Sequence, residues 1–264
     1  MIAGSAAPLV PFVHLLIGMR LARGLVLKPF TYFHMMWKAH NSEFLLQDHG
    51  EKIRYLRALR DDYLKNCGPE QFEIHGYTLM SNHGHLSGSA GEDPSLYSDH
   101  MRRAHSRFAL GFNKRHNRSG AVSNDRPKIK AAQNEAYSME VMLYEVFNPV
   151  RANLISTPTH VMWRLFSAAR YLAFGETNEF TCMITLPDWY LKLGKNAAQR
   201  QRKFRQLMDQ YALERGLKRD PKKARGHFVG DDEWVQAMRR QVAEWVKARK
   251  KKDTGSGTDP PDTS

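Results

Sequence analysis

Phe72-Glu73-Ile74-His75-Gly76-Tyr77-Thr78-Leu79-Met80-Ser81-Asn82-His83-Gly84-His85-Leu86 is the stretch on which the fold turns. Phe72 to Met80 is rich in aromatic and β-branched residues and reads as a strand; Ser81-Asn82 is turn-prone, and His83 to Leu86 reads as the returning strand of a hairpin. Residues two apart on a strand project from the same face, so His83 and His85 can grip one ion together. The same spacing also describes two polar side chains on a solvated strand face.

Working outward, Phe30 to Trp37 follows Pro29 and reads as a first strand. Asp48 to Asn66 carries Ile53, Leu56, Leu59, Tyr63 and Leu64 at helical spacing and is closed by Gly68 and Pro69. Downstream, a second helix is expected from Pro94 to about Lys114, then a loop from Asn117 to Pro127 and a short basic strand over Lys128 to Ala131. Ser138 can cap a helix that runs through Phe147 and stops near Asn148, because Pro149 disfavours helical geometry in the residue before it. Helical patterns follow near His160 to Tyr171, Asn196 to Arg215 and Asp231 to Lys250.

The order strand, helix, strand pair, helix, strand, helix predicts an α+β fold. The expected core is a ferredoxin-like or RRM-like antiparallel sheet, a split βαβ unit with helices on one face, over residues 29–158. Residues 159–249 are expected to form a helical C-terminal extension. Residues 1–28 read as a leader, poorly ordered or mis-started, with Met19 as the alternative initiator; residues 250–264 read as a disordered tail.

Lys and Arg total 40 against 27 Asp plus Glu, and the excess of +13 favours a polyanionic partner, nucleic acid first. Cys67 and Cys182 are far apart and lie in no zinc-binding spacing, so neither a disulfide framework nor a structural zinc is indicated, which fits a reducing cytoplasm. The apolar stretch from Ala6 to Gly18 is too short to span a bilayer and lacks the preceding positive charge of a signal peptide.

A second chemical feature lies in Ser138-Met139-Glu140-Val141-Met142-Leu143-Tyr144-Glu145-Val146-Phe147-Asn148-Pro149-Val150. Met139, Met142, Leu143 and Val146 form the core-facing stripe, whereas Glu140, Tyr144 and Asn148 line an adjacent flank. Tyr144 is therefore not required by the stripe, although periodicity alone also fits a tyrosine sealing the core edge.

The histidine segment resembles the region of REP-associated tyrosine transposases, HUH single-tyrosine enzymes of the single-strand type, in which a strand ending in LMPNHVHLL carries paired histidines. Those transposases carry their nucleophilic tyrosine one turn before an NPV signature, here Asn148-Pro149-Val150, and Tyr144 is the matching position. The resemblance continues in Phe112-Asn113-Lys114-Arg115 with Arg118-Ser119-Gly120, in Trp163 to Tyr171, and in Leu193-Gly194 with Arg200 to Phe204, covering roughly residues 30 to 245. Ser81 replaces the motif's proline, Gly84 and Ser87-Gly88 replace bulky apolar residues, and Ala121 to Asp125 departs from an aromatic turn. Glycine loosens a strand by roughly 0.5 to 1 kcal/mol relative to alanine.

The resemblance implies an HUH nuclease core that cuts and rejoins hairpin-forming single-stranded DNA through a 5′-phosphotyrosine on Tyr144. His83 and His85 would hold Mg2+ or Mn2+, with Asn148 or Glu140 adding an oxygen ligand. Arg102, Arg103, Arg107, Lys114, Arg115, Arg118, Arg126, Lys128 and Lys130 are the candidate DNA contacts, with Lys218 to Arg225 a further basic stretch. The phenol needs a base to help deprotonate it; His34 and His75, on neighbouring strands, are candidate helpers, with packing in the sheet the preferred reading of each. The expected setting is cytoplasmic and nucleoid-associated, with no membrane partner, as monomer or homodimer. Other readings are a domesticated hairpin binder that no longer cuts, a replication initiator or relaxase with the same chemistry, and an RNA-binding sheet protein.

Overall fold

A computed structural model describes residues 21–123, 125–215 and 226–255. In chain order these form α1 (Arg23–Val26), β1 (Tyr32–Lys38), α2 (His49–Asn66), β2 (Phe72–Leu79), β3 (His83–Ala90), α3 (Ser95–Arg115), β4 (Lys128–Ala132), α4 (Glu135–Val146), α5 (Asn148–Arg151), α6 (Ala169–Phe174), α7 (Asp188–Leu191), α8 (Ala197–Arg215), β5 (Phe228–Val229) and α9 (Asp232–Gly255). The strands lie in the order β2-β3-β1-β4-β5. β1 pairs antiparallel with β3 and β4, and β2 pairs antiparallel with β3, the split βαβ arrangement expected from the element order. Two residues carry too little pattern to predict β5, which joins β4 in parallel with Ala131 opposite Phe228.

Strand alternation sorts the two faces. Phe33 and Trp37 point toward the long helices, where Phe33 meets Tyr97 of α3 and Trp37 stacks on Tyr55 of α2. Asp48 starts α2 by accepting a hydrogen bond from Glu51 N at 3.0 Å. Leu56, Leu59 and Tyr63 are buried as the spacing predicts, but Tyr55 joins them while Leu64 is exposed. The long helices occupy one face; the opposite face is covered by α4, which packs across β1, β2, β3 and β4.

α4 begins earlier than the sequence reading placed it. Asn134, not Ser138, is the cap, its side chain accepting from the amides of Ala136 and Tyr137, and Ser138 is buried within the helix. Nor does Pro149 end the helical path. Phe147 keeps right-handed helical angles and the chain resumes as α5, with Arg151 N bonding to Phe147 O at 3.0 Å. Proline in the first turn of a new helix forfeits no intrahelical donor, so the path bends and continues.

The segment expected to be helical from His160 to Tyr171 is broken. Its middle is used to cover the outer edge of β2: Leu79 N bonds to Phe166 O, Ala168 N to Tyr77 O, and further on Thr185 N to Ile74 O. β5 covers the other edge at β4, so chain from the C-terminal region closes both edges of the antiparallel sheet.

Of the expected leader, residues 1–20 lie outside the described residues, whereas Val26 and Leu27 are buried in the core. Of the expected tail, helix α9 runs to Gly255 and residues 256–264 lie outside the described residues, as does the basic stretch from Lys218 to Arg225. Among the described residues no helix is long and apolar enough to cross a membrane.

Candidate active site

His34 follows Phe33, so it projects to the α4 face of the sheet, and register places Met36 of β1 opposite His85 and His34 opposite Ser87. His83 and His85 share that face with ring centroids 5.0 Å apart. His83 Nδ1 lies 2.7 Å from Asn82 Oδ1, and His85 Nδ1 lies 2.9 Å from His34 Nε2. Tyr144, half-buried on α4, stands edge-on to both inner histidines, with centroids 6.3 Å from His34 and 6.5 Å from His85. The structure thus brings together the tyrosine and the histidine pair that the sequence singles out, and adds His34 beside His85.

The flank of α4 continues past the proline. Tyr144, Asn148 and Arg151 fall at intervals of four and three, which puts them on one side of the helical path. Arg151 Cζ lies 4.1 Å from the Tyr144 ring centroid. Its Nη2 donates to the Tyr144 carbonyl oxygen, and to Asn148 Oδ1 at 2.8 Å. Asn148 Oδ1 keeps a second lone pair, while its Nδ2 is buried without a partner among the described residues. Glu140 lies one turn before Tyr144 and is half-buried.

Charge around the cluster is positive. Burial, then the neighbouring His34, His83, Arg151 and Lys130, hold His85 well below the usual histidine range. Burial and Lys130 lower His34 to about 3. Both rings are neutral at neutral pH, the state in which imidazole binds a metal. His85 Nε2 is buried with no hydrogen-bond partner among the described residues. An orphaned imidazole nitrogen beside a half-buried second imidazole offers lone pairs to a divalent ion, and Arg151 and Lys130 close by suit an anionic ligand.

The candidate DNA contacts separate into groups. Lys128 and Lys130 pair with Met36 and His34 across β1 and β4, so they share the Tyr144 face; Arg126 is exposed just before them. Arg102, Arg107 and Lys114 are exposed on α3, across the sheet, with Arg102 near Asp99 and Arg107 near Asp61 in surface ion pairs. Arg103 is paired with Asp62, Arg115 with Glu51 and Arg118 with Glu43.

Asp62, Cys67 and His100 form, among the described residues, a cluster whose ligand-type atoms lie within 4.8 Å of one another. Arg103 sits in it, donating to both Asp62 oxygens at 2.7 and 3.1 Å and to Cys67 Sγ at 3.5 Å. His100 and Asn66 also bond the Asp62 carboxylate at 2.8 Å. A guanidinium already supplies the positive charge there, and the cluster ties α2 to α3 on the face away from Tyr144.

The chain is therefore an α+β protein with a five-stranded sheet and a tyrosine–histidine cluster under α4. No protein-family model matches it, and no curated protein matches it. Among solved structures it is similar to one described as "Structure of the REP associates tyrosine transposase bound to a REP hairpin", at 19% identity and a TM-score of 0.47, over 62% of this chain and 94% of that one.

Proposed function

We propose that this chain is a metal-dependent endonuclease and strand transferase for single-stranded DNA, of the transposase type, with Tyr144 as nucleophile. One observation carries the reading: the Tyr144 ring stands edge-on to His34 and His85 within 6.5 Å, in a setting of positive charge. Simple DNA binding calls for no such convergence of a phenol with paired neutral imidazoles.

His83 and His85 are the residues that would hold a divalent ion, with Asn148 Oδ1 or the Glu140 carboxylate as oxygen ligand. Two imidazoles favour Mn2+ over Mg2+. When bound, the ion would polarise a phosphodiester and stabilise the charge developing on it. Tyr144 Oη attacks phosphorus; the Oη–P bond forms, the P–O3′ bond breaks, the phenolic proton leaves to solvent and the departing 3′ oxygen takes one up. The 5′-phosphotyrosine keeps the phosphodiester energy, so a later 3′-hydroxyl can attack it, rejoin the strand and restore the phenol. Arg151 holds the phenol ring, and Lys128 and Lys130 hold the strand on the same face. Hairpin-forming strands are the substrate class that the sequence resemblance implies, and such a role would place the protein with the nucleoid.

The test incubates the purified chain with a labelled single-stranded hairpin and Mn2+. A covalent protein–DNA adduct that survives denaturation and is lost in Tyr144→Phe is expected. Tight binding with no adduct would end the enzyme reading and favour a non-cutting hairpin binder.

A further inference from the structure

A histidine that ligates through one ring nitrogen has its tautomer chosen by the partner of the other. For His85 that partner is a second imidazole. His85 Nδ1 and His34 Nε2 are 2.9 Å apart, and the two rings are parallel within 4° with centroids 5.0 Å apart. The nitrogens are far closer than the centroids, so the rings meet edge to edge, as a hydrogen bond requires. His34 is held firmly for this, since β1 is paired on both sides, with Ser87 opposite it on β3 and Lys130 on β4.

Between two neutral rings only one of the facing nitrogens carries a proton. If His34 Nε2–H donated, His85 would carry its own proton on Nε2, and that atom is buried with no acceptor among the described residues. If His85 Nδ1–H donates, Nε2 bears a lone pair instead. The first arrangement strands a buried donor, while the second leaves the form a cation needs. We infer that His34 is a positioning residue: by accepting the Nδ1 proton of His85, it holds that ring in the tautomer whose Nε2 can bind a metal ion.

The inference deepens the reading of His83 and His85 as ligands and rests on it, yet it can fail separately. Long-range proton–nitrogen NMR of the metal-free chain should show His85 protonated at Nδ1 and bare at Nε2. In His34→Leu, which cannot accept, the His85 signals should shift toward the Nε2–H form and Mn2+ affinity, measured by calorimetry, should fall about tenfold or more. His34→Gln, whose amide oxygen can accept the same proton, should restore both, which a merely structural role for the ring would not predict. Finding His85 as Nε2–H in the unaltered chain, or unchanged Mn2+ affinity in a folded His34→Leu, overturns the inference. If the unaltered chain binds no Mn2+, the metal reading falls, and the nitrogen spectrum still decides the tautomer.

Discussion

The guanidinium of Arg151 lies over the ring of Tyr144, its Cζ 4.1 Å from the centroid, and the same group bonds the Tyr144 carbonyl oxygen and Asn148 Oδ1. Half-buried and partly desolvated, it is held in place by the residues it organises. A cation over an aromatic face is worth about 0.5 to 2 kcal/mol, and 1.4 kcal/mol is roughly tenfold in rate. Arg151→Ala should therefore slow adduct formation on the hairpin about tenfold with the fold intact. Arg151→Lys should recover only part of the loss, because lysine cannot bond Asn148 and cover the ring together. Equal adduct rates in all three proteins would remove Arg151 from the site.

Glu145, beside Tyr144 in sequence, is fully buried near Ser87, the residue opposite His34 on β3. Neither carboxyl oxygen makes a well-aligned hydrogen bond among the described residues. Burial pushes the group up to about 8, against a lowering from the Ser87 hydroxyl. The folded chain thus keeps a proton that the unfolded chain releases above the ordinary glutamate range. The linked stability is full below that range and is lost as pH rises through about 8. Glu145→Gln, neutral at every pH, should match the unaltered protein near pH 4 and exceed it near pH 7.5 by roughly 2 to 4 kcal/mol in urea denaturation. A constant difference across that range would show that the carboxyl is not held protonated.

The order of strands and helices was legible from local pattern, alternation in β2 and helical spacing through Tyr144, whereas that pattern left the roles of Tyr144, His83 and His85 open and only the family resemblance joined them. His34 was visible as a residue but not as a partner of His85. Its role depends on the register between β1 and β3, which tertiary packing sets and no single strand encodes. Arg151 was missed for a different reason. Reading Pro149 as a stop removed the turn that returns Arg151 to the Tyr144 flank. The edge-covering role of the C-terminal region was hidden too, since backbone pairing by Phe166 to Ala168 and by Phe228 leaves almost no side-chain signature.

Charge put Arg102 to Lys130 forward as candidate DNA contacts without distinction; burial, ion pairing and sheet face separate them. Arg103 is committed to Asp62, whereas Lys128 is exposed on the Tyr144 face. Arg103→Ala should cost about 1 to 3 kcal/mol of stability by leaving the buried carboxylate short of donors. It should leave the salt dependence of hairpin binding, read by fluorescence anisotropy, unchanged. Lys128→Ala should do the reverse, lowering the slope of log affinity against log salt by about one with little effect on stability. If Arg103→Ala flattens that slope as Lys128→Ala does, the face assignment is wrong.

Glycines in the hairpin read as weak points in the sequence, yet the fold makes one of them obligatory. β2 bulges between Ile74 and Gly76, and Gly88 opposite Ile74 lets the strands close up. A Cβ on Gly88 would lie 2.0 Å from the backbone oxygen of Glu73 and 2.9 Å from Phe33 Cζ. The Glu73 oxygen cannot move without shifting a paired strand, and Phe33 is packed in the buried core. At Gly76 the added atom would meet Met142 at 2.5 Å from Sδ and 2.9 Å from Cε, the far end of a flexible side chain. Gly88→Ala should therefore cost roughly 1 to 3 kcal/mol or more, lowering the melting temperature by about 5 to 10 °C, and Gly76→Ala distinctly less. Because β3 also carries His83 and His85, Gly88→Ala should weaken Mn2+ binding, whereas Gly76→Ala should leave it near that of the unaltered chain. A Gly88→Ala protein that melts normally would mean that β2 and β3 do not approach as closely as the bulge requires.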